Sequence, residues 1–429
     1  MECTNDDQTK NGEVEHITEE DVKLILANSS YSNNEGVLRT YQVRYASDKM
    51  LGFLADYYKL KVVVTEKNDD KKVLSFFIKA VSRTNASKAQ MVKELNLFEK
   101  ELHFYSIIKK ELDIPGLKPW SAKFISALND AIVFQDLNAL EYKLRDKFER
   151  FDMAHTIQAL RTLARFHASS IIFEENRKIM LGKPSYIITD EYQHLSNPAG
   201  YKNTDPWFIQ CKKGALEAIK TFSNYSNNSL VLSAIESRWD EIWSSALQLC
   251  DLPSNDRNVI CHRDLWNNNI LFRYNKDGNT QEPDDCVFVD FQAARYQPLA
   301  GDIMFLLYCN LEPKFREENL TDFLNSYYQE LGMILCDFGI SIDNLLHKED
   351  FLASIEKHRL WGLIACACLI PAFWLNDDLT TSIFSDSSNF DEILTKDKAT
   401  FMINMMQAHE DYKNNLMAVF EEIVERYCL

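Results

Sequence analysis

Between Val259 and Arg295 three short apolar runs carry a fixed set of polar residues, and that arrangement constrains the fold more than anything else in the chain. The stretch reads V-I-C-H-R-D-L-W-N-N-N-I-L-F-R-Y, passes a polar turn K-D-G-N, and returns as C-V-F-V-D-F-Q-A-A-R. Two apolar runs flank His262, Arg263, Asp264 and Asn269, and a third ends on Asp290. The pattern predicts a strand, a functional loop, a second strand, a turn and a third strand.

That spacing suits one kind of chemistry. An Asp early in such a loop accepts the proton of an attacking hydroxyl, and an Asn five positions later turns back to a metal ion. A second carboxylate, at a strand end, bridges phosphate oxygens through magnesium. His262 to Asn269 meets the phosphoryl-transfer signature H-R-D-L-x-x-x-N letter for letter. Asp264 is then the base, and Asn269 and Asp290 are the metal ligands. Two or three oxygens suffice, because magnesium keeps phosphates and waters as its other ligands. Any single element is common by chance; the ordered set is specific.

Composition narrows the partners. A length of 429 residues predicts two or three domains. The formal net charge of −17 argues against nucleic acid or an anionic membrane as partner. It leaves ATP open, since phosphates need only a local cation and magnesium. Glycine numbers 12, where average usage would give about 30, so extensive Gly-rich loops are disfavoured. The 10 cysteines show no zinc spacing and read as buried free thiols in a reducing cytosol. No secretory signal is visible at the N-terminus. The apolar run 360–375, interrupted by Pro371, suits a buried helix better than a membrane span. The expectation is a cytoplasmic protein with no membrane, nucleic-acid or obligate protein partner.

Along the chain, residues 1–17 read as a loose polar tail. Thr18 to Asp21 resembles a capping box, which predicts a helix over 19–28. Alternating Tyr41, Val43 and Tyr45 predict a strand. A turn around Gly52 leads to a strand with Leu60, Val62 and Val64 on one face, and V-L-S-F-F-I-K-A-V returns as another, carrying Lys79. Residues 86–110 carry a helical pattern. Glu101, 22 residues after Lys79, fits the ion pair that orients a lysine towards the α- and β-phosphates; Glu94 is the alternative partner. A-I-V-F-Q-D-L leads into a hinge near 135–140, where backbone groups would hold adenine and the side chains of Gln135 and Asp136 constrain little. His167, on a strongly helical stretch, reads as a packed histidine. Asp302 either complements a helix N-terminus or braces the catalytic loop from beneath. Trp361, Phe373 and Trp374 read as core, with an acceptor pocket as the alternative.

Assembled, these segments resemble the ecdysteroid kinase-like family, relatives of choline and aminoglycoside kinases, over about residues 40–420. The marks are L-G-F-L-A-D-Y-Y-K-L-K-V, F-F-I-K-A-V, F-E-K-E-L-H-F-Y, L-A-R-F-H-A-S-S, H-R-D-L-W-N-N-N-I-L-F, V-D-F-Q-A-A-R and D-I-M-F-L-L-Y. The resemblance implies an α+β, two-lobed protein-kinase-like fold, with a small antiparallel N-lobe at 18–137 and a mostly helical C-lobe at 138–429. It implies ATP- and magnesium-dependent phosphorylation of a small-molecule alcohol, in some members a steroid. By position it assigns Asp264 as base, Asn269 and Asp290 to the metal, and Lys79 with Glu101 to the phosphates. Gly52 falls in the phosphate-covering turn, and His262 and Asp302 are structural supports.

Three departures stand out: Arg263 where the family usually has Gly, Ala55 where relatives often have a second Gly, and Gln135 in place of a hinge Glu. A protein kinase is disfavoured, because D-F-Q replaces D-F-G and neither G-x-G-x-x-G nor A-P-E is present. Two rivals remain: a small-molecule binding protein on this fold that has lost catalysis, and a choline- or aminoglycoside-type kinase with a cationic acceptor.

Overall fold

The computed structural model describes residues 16–29, 31, 36–47, 52–66, 70–252, 255–274 and 282–429. The polar turn K-D-G-N and nearly all of the expected N-terminal tail lie outside them. Five antiparallel strands make the first sheet: β1 (Val37–Tyr45), β2 (Ala55–Thr65), β3 (Lys71–Val81), β4 (Phe124–Ala127) and β5 (Ala131–Gln135), in the order β1-β2-β3-β5-β4. One face packs inward through Leu60, Val62, Val64 and Ile78, against Val22 and Ile25 of the helix Glu19–Asn28. That helix starts on the Thr18–Asp21 capping box, which closes in both directions. Strand alternation sends Lys79, the neighbour of Ile78, to the other face. Tyr57 on β2 stands directly opposite Lys79 and shares that face.

The helical pattern over 86–110 is interrupted. Helix Ala86–Glu94 ends, Asn96 turns left-handed at φ 55°, and a new helix runs Leu97–His103 before a wider turn at Phe104–Ile108. Leu95 and Phe98 keep helical spacing across the break, so periodicity alone hides it. The break separates the two glutamates. Glu94 is exposed and bonds Gln90 at 2.6 Å, whereas Glu101 is buried.

After the 3₁₀ turn Leu137–Leu140 the chain is mostly helical. The long helix Met153–Leu181 begins on an Asp152 cap and ends where Gly182 turns left-handed. Helix Leu299–Asn310 is buried along its whole length. Helix Lys348–Phe373 lies against it so closely that a Cβ on Gly362 would meet the Met304 carbonyl at 2.9 Å. Two small sheets carry the functional loops. β7 (Asn258–Cys261) pairs with β10 (Arg295–Pro298), and β6 (Lys143–Leu144), β8 (Ile270–Tyr274) and β9 (Pro283–Phe288) form the other.

Among the described residues no single helix is long and apolar enough to cross a membrane; Lys348–Phe373 and Asp377–Phe384 pass only as a pair bent by 91°. The apolar run at 360–375 lies in that helix pair's buried stretch. All described cysteines are free thiols, and only Cys336 is exposed.

Candidate active site

Lys79 joins three elements. Its Nζ donates to Glu101 Oε2 at 2.6 Å and to Asp290 Oδ1 at 2.8 Å. Glu101 Oε1 accepts the Phe291 N–H at 3.2 Å. Burial works to lower the Lys79 pKa, but the charges of Asp290 and Glu101 override it and raise it, so the ammonium is held charged. Asp290, two residues past the end of β9, has a left-handed backbone, φ 68°, which turns the chain into Phe291–Ala293 and its carboxylate towards Lys79.

The loop that carries Asp264 hangs from β7. His262 is fully buried. Its Nε2 lies 2.8 Å from the Val289 carbonyl, and its Nδ1 receives the Asp264 N–H at 3.2 Å. Only a neutral imidazole protonated on Nε2 satisfies both partners. Burial lowers its pKa in the same sense. With both nitrogens occupied, His262 acts as a strut between the loop and β9.

Asp302 lies beneath the loop at zero exposure. Its Oδ2 accepts the His262 N–H at 2.5 Å and its Oδ1 the Arg263 N–H at 2.8 Å. His167 Nε2 reaches the same carboxylate at 3.3 Å, and its Nδ1 meets the Tyr327 hydroxyl at 2.7 Å. His167, Cys261 and Asp302 bring ligand-type atoms within 4.8 Å of one another, but these hydrogen bonds already engage the histidine and the aspartate. The braced loop turns left-handed at Arg263, φ 67°. For a residue with a Cβ that backbone costs roughly 1–2 kcal/mol, a cost glycine would not carry.

Arg263 gains an anchor in exchange. Its Nη1 donates to the Pro198 carbonyl at 2.6 Å, and its guanidinium lies 5.0 Å from the Tyr201 ring and 5.2 Å from that of Trp361. Two further buried basic side chains take the adjoining carbonyls. Lys100 Nζ donates to Asn197 O at 2.9 Å and Arg295 Nε to Ser196 O at 3.1 Å. Burial, helped by Arg263 and Arg295, lowers the Lys100 ammonium to about 6. Three successive carbonyls thus tie the 196–198 segment to the residue beside Glu101, to the residue beside Asp264, and to β10.

Asn269 Nδ2 donates to Asp264 Oδ2 at 2.9 Å and to the Asp264 carbonyl at 2.8 Å. Its own carbonyl accepts the Val289 N–H at 3.1 Å, which sets it next to Asp290. Burial, then the charge of Asp290, pushes the Asp264 carboxyl up to about 8. Lys79, Glu101, Asp264, Asn269, Asp290 and Gly52 all border one cavity of about 350 Å³.

From the sheet, this cavity continues past Asp264 to a wall that includes Tyr201, Trp207, Trp266, Leu369, Phe373 and Phe384. Phe53, from the turn after Gly52, packs on Trp266 at 5.9 Å and on Phe384 at 5.2 Å. Trp266 in turn stacks on Phe373 at 3.7 Å. Of the three aromatics singled out in the sequence, Phe373 lines the cavity, Trp361 is buried beside Arg263, and Trp374 sits over Arg150 at 4.3 Å.

Three residues escaped sequence reasoning. Asp136 was expected to constrain little, yet it is buried, accepts from Ser75 Oγ at 2.6 Å and lies 3.2 Å from Lys59 Nζ, pinning the hinge to β2 and β3. Tyr57 and Lys398 both face the cavity. Tyr57 carried a faint signal, its even spacing from the other cleft-facing positions of β2; Lys398 carried none.

The fold and the cleft define a kinase-like protein of the class that acts on small molecules. A family model for the ecdysteroid kinase-like family matches residues 49–339, and the chain belongs to that family. No curated protein matches it. Similar solved structures include an ethanolamine kinase from Plasmodium vivax, 12% identical with a TM-score of 0.43, covering 91% of this chain and 83% of that one. An ADP-bound aminoglycoside phosphotransferase is 12% identical, TM-score 0.36, covering 85% and 95%. The choline kinase LicA from Streptococcus pneumoniae is 11% identical, TM-score 0.32, covering 79% and 98%.

Proposed function

We propose that this protein transfers the γ-phosphoryl group of ATP to a hydroxyl of a small, largely apolar alcohol. The observation that carries the reading is the continuity of one cavity from Lys79 and Asp290, past Asp264, to an aromatic and aliphatic wall. Asp264 orients the acceptor hydroxyl and takes its proton late, since a loose transition state asks little of a base. Lys79, locked by Glu101, presents its ammonium to the phosphates. Asn269 and Asp290 offer the hard oxygens that suit magnesium: the Asn269 amide N–H group is spent on Asp264, which leaves its Oδ1 as the ligand atom. Magnesium, when bound, neutralises charge on the β- and γ-phosphates. Positive charge beside Asp290 also favours ionised Asp264, because Asp290 is one of the groups that push the Asp264 carboxyl up.

Charge at the far wall favours this acceptor over a cationic one. Lys398 borders the cavity with only 2% exposure and bonds Cys211 Sγ at 3.2 Å and the Cys368 carbonyl at 3.3 Å. The buried guanidinium of Arg263 borders the same cavity. An ammonium-bearing alcohol would meet both. Screening alcohols for ATP-dependent mass gain is expected to give products from neutral apolar alcohols, steroids among them, and none from choline, ethanolamine or aminoglycosides. Products from the cationic set alone would overturn the acceptor class. Mg·ATP binding without turnover of any alcohol would favour a binding protein instead.

The metal assignment has its own check. Asp290→Ala removes a carboxylate shared with Lys79, and calorimetry is expected to show loss of magnesium-dependent ATP binding. Binding as tight as in the wild type would remove Asp290 from the metal site.

A further inference from the structure

The run K-M-L-G-F-L-A that leads into β2 holds a single glycine, Gly52, whereas a glycine-rich loop is the common way for backbone N–H groups to cradle a phosphate. The structure places a side chain there instead. Tyr57 is the direct cross-strand partner of Lys79 and leaves the sheet on the same face. Its ring leans on Phe77 at 5.8 Å. Its hydroxyl lies 2.6 Å from the point where a Cβ on Gly52 would stand. Position 52 therefore accepts glycine for space: the residue has no left-handed backbone to demand it, but any side chain would strike the phenol.

We infer that the Tyr57 hydroxyl is a contact to the terminal phosphate of the bound nucleotide, standing in for the missing glycine-rich cradle. The inference rests on the nucleotide reading above and adds a residue to it. Lys79, Asp264, Asp290 and Tyr57 border the same cavity. The hydroxyl has no hydrogen-bond partner among the described residues, so its proton is available to a ligand. Burial raises its pKa, opposed by Lys79 and helped by the three nearby carboxylates, so the phenol stays protonated and remains a donor. The hydroxyl also feels the charges of Asp290 and Asp264, the groups read above as metal ligand and base, and a phenol O–H to a phosphate oxygen is a charge-assisted hydrogen bond.

Tyr57→Phe keeps the ring on Phe77 and removes one oxygen. Calorimetry on the full chain with magnesium and β,γ-imido-ATP is expected to show binding about 10-fold weaker in the variant, the low end for a hydrogen bond to a charged group. Mg·ADP, which lacks the terminal phosphate, is expected to bind within about 2-fold of wild type. Unchanged imido-ATP binding, or an equal loss for both nucleotides, overturns the contact. If wild-type protein binds neither nucleotide, the nucleotide reading itself fails, which is a different result. Gly52→Ala supplies an independent arm. It is expected to weaken imido-ATP more in the wild-type background than in Tyr57→Phe, because the phenol oxygen at 2.6 Å is the nearest atom a Cβ would meet, while the ring carbons at 3.2 Å remain in both. Equal effects of Gly52→Ala in both backgrounds count against the proposal.

Discussion

An Asp264→Ala variant is expected to lose turnover by roughly 10²- to 10⁴-fold, the usual worth of a positioned general base, while Mg·ATP binds nearly as before. The second half of that expectation comes from Asn269. Its amide is held twice, by the Asp264 carboxylate at 2.9 Å and by the Asp264 backbone carbonyl at 2.8 Å. Alanine removes the first hold and keeps the second, so Asn269 stays beside Asp290. The loss therefore falls on the chemical step. Steady-state turnover of an accepted alcohol, paired with calorimetric ATP binding, separates the two quantities. Near-normal turnover would sink the assignment; turnover and ATP affinity falling together would mean that Asp264 organises the nucleotide site instead.

Asp302→Ala carries the largest expected cost in stability. The substitution leaves the His262 and Arg263 N–H groups buried without an acceptor and takes a partner from His167. An orphaned buried donor costs about 1–3 kcal/mol, so the variant is expected to lose roughly 2–5 kcal/mol. The left-handed backbone at Arg263 also loses the brace that holds it. Asp302→Asn gives only partial rescue, because one amide oxygen can accept where two carboxylate oxygens did. Urea unfolding monitored by tryptophan fluorescence measures the change. A variant within about 0.5 kcal/mol of wild type, the range of an unremarkable surface substitution, would show that Asp302 is not the brace.

The sequence was most legible where chemistry and local structure coincide. Lys79 sits in an apolar strand, Asp264 and Asn269 share one loop, and Asp290 follows the end of a strand, so motif and periodicity point to the same places. Legibility failed where placement is tertiary. Lys398 lies more than a hundred residues beyond the loop with which it shares a cavity, and nothing around it differs from an ordinary helix start. The break at Asn96 is masked because Leu95 and Phe98 remain in helical phase. Asp136 was undervalued because hinge recognition by backbone groups says nothing about what holds the hinge in place. Arg263 was visible as an oddity, yet its reason, a left-handed turn secured by three carbonyl anchors nearby, needed coordinates. Asp302 had two readings in the sequence; the hydrogen bonds from His262 and Arg263 give it the bracing geometry.

The segment gripped by Lys100, Arg263 and Arg295 is held through its carbonyl oxygens. A carbonyl is the same whatever side chain stands beside it. The strand of chain that continues into Ala199, Gly200 and Tyr201 on the cavity wall is thus moored by groups that mutation at Ser196 or Asn197 leaves in place. Side chains at these two positions can therefore change over time while the segment keeps its place against the loop that carries Arg263 and Asp264.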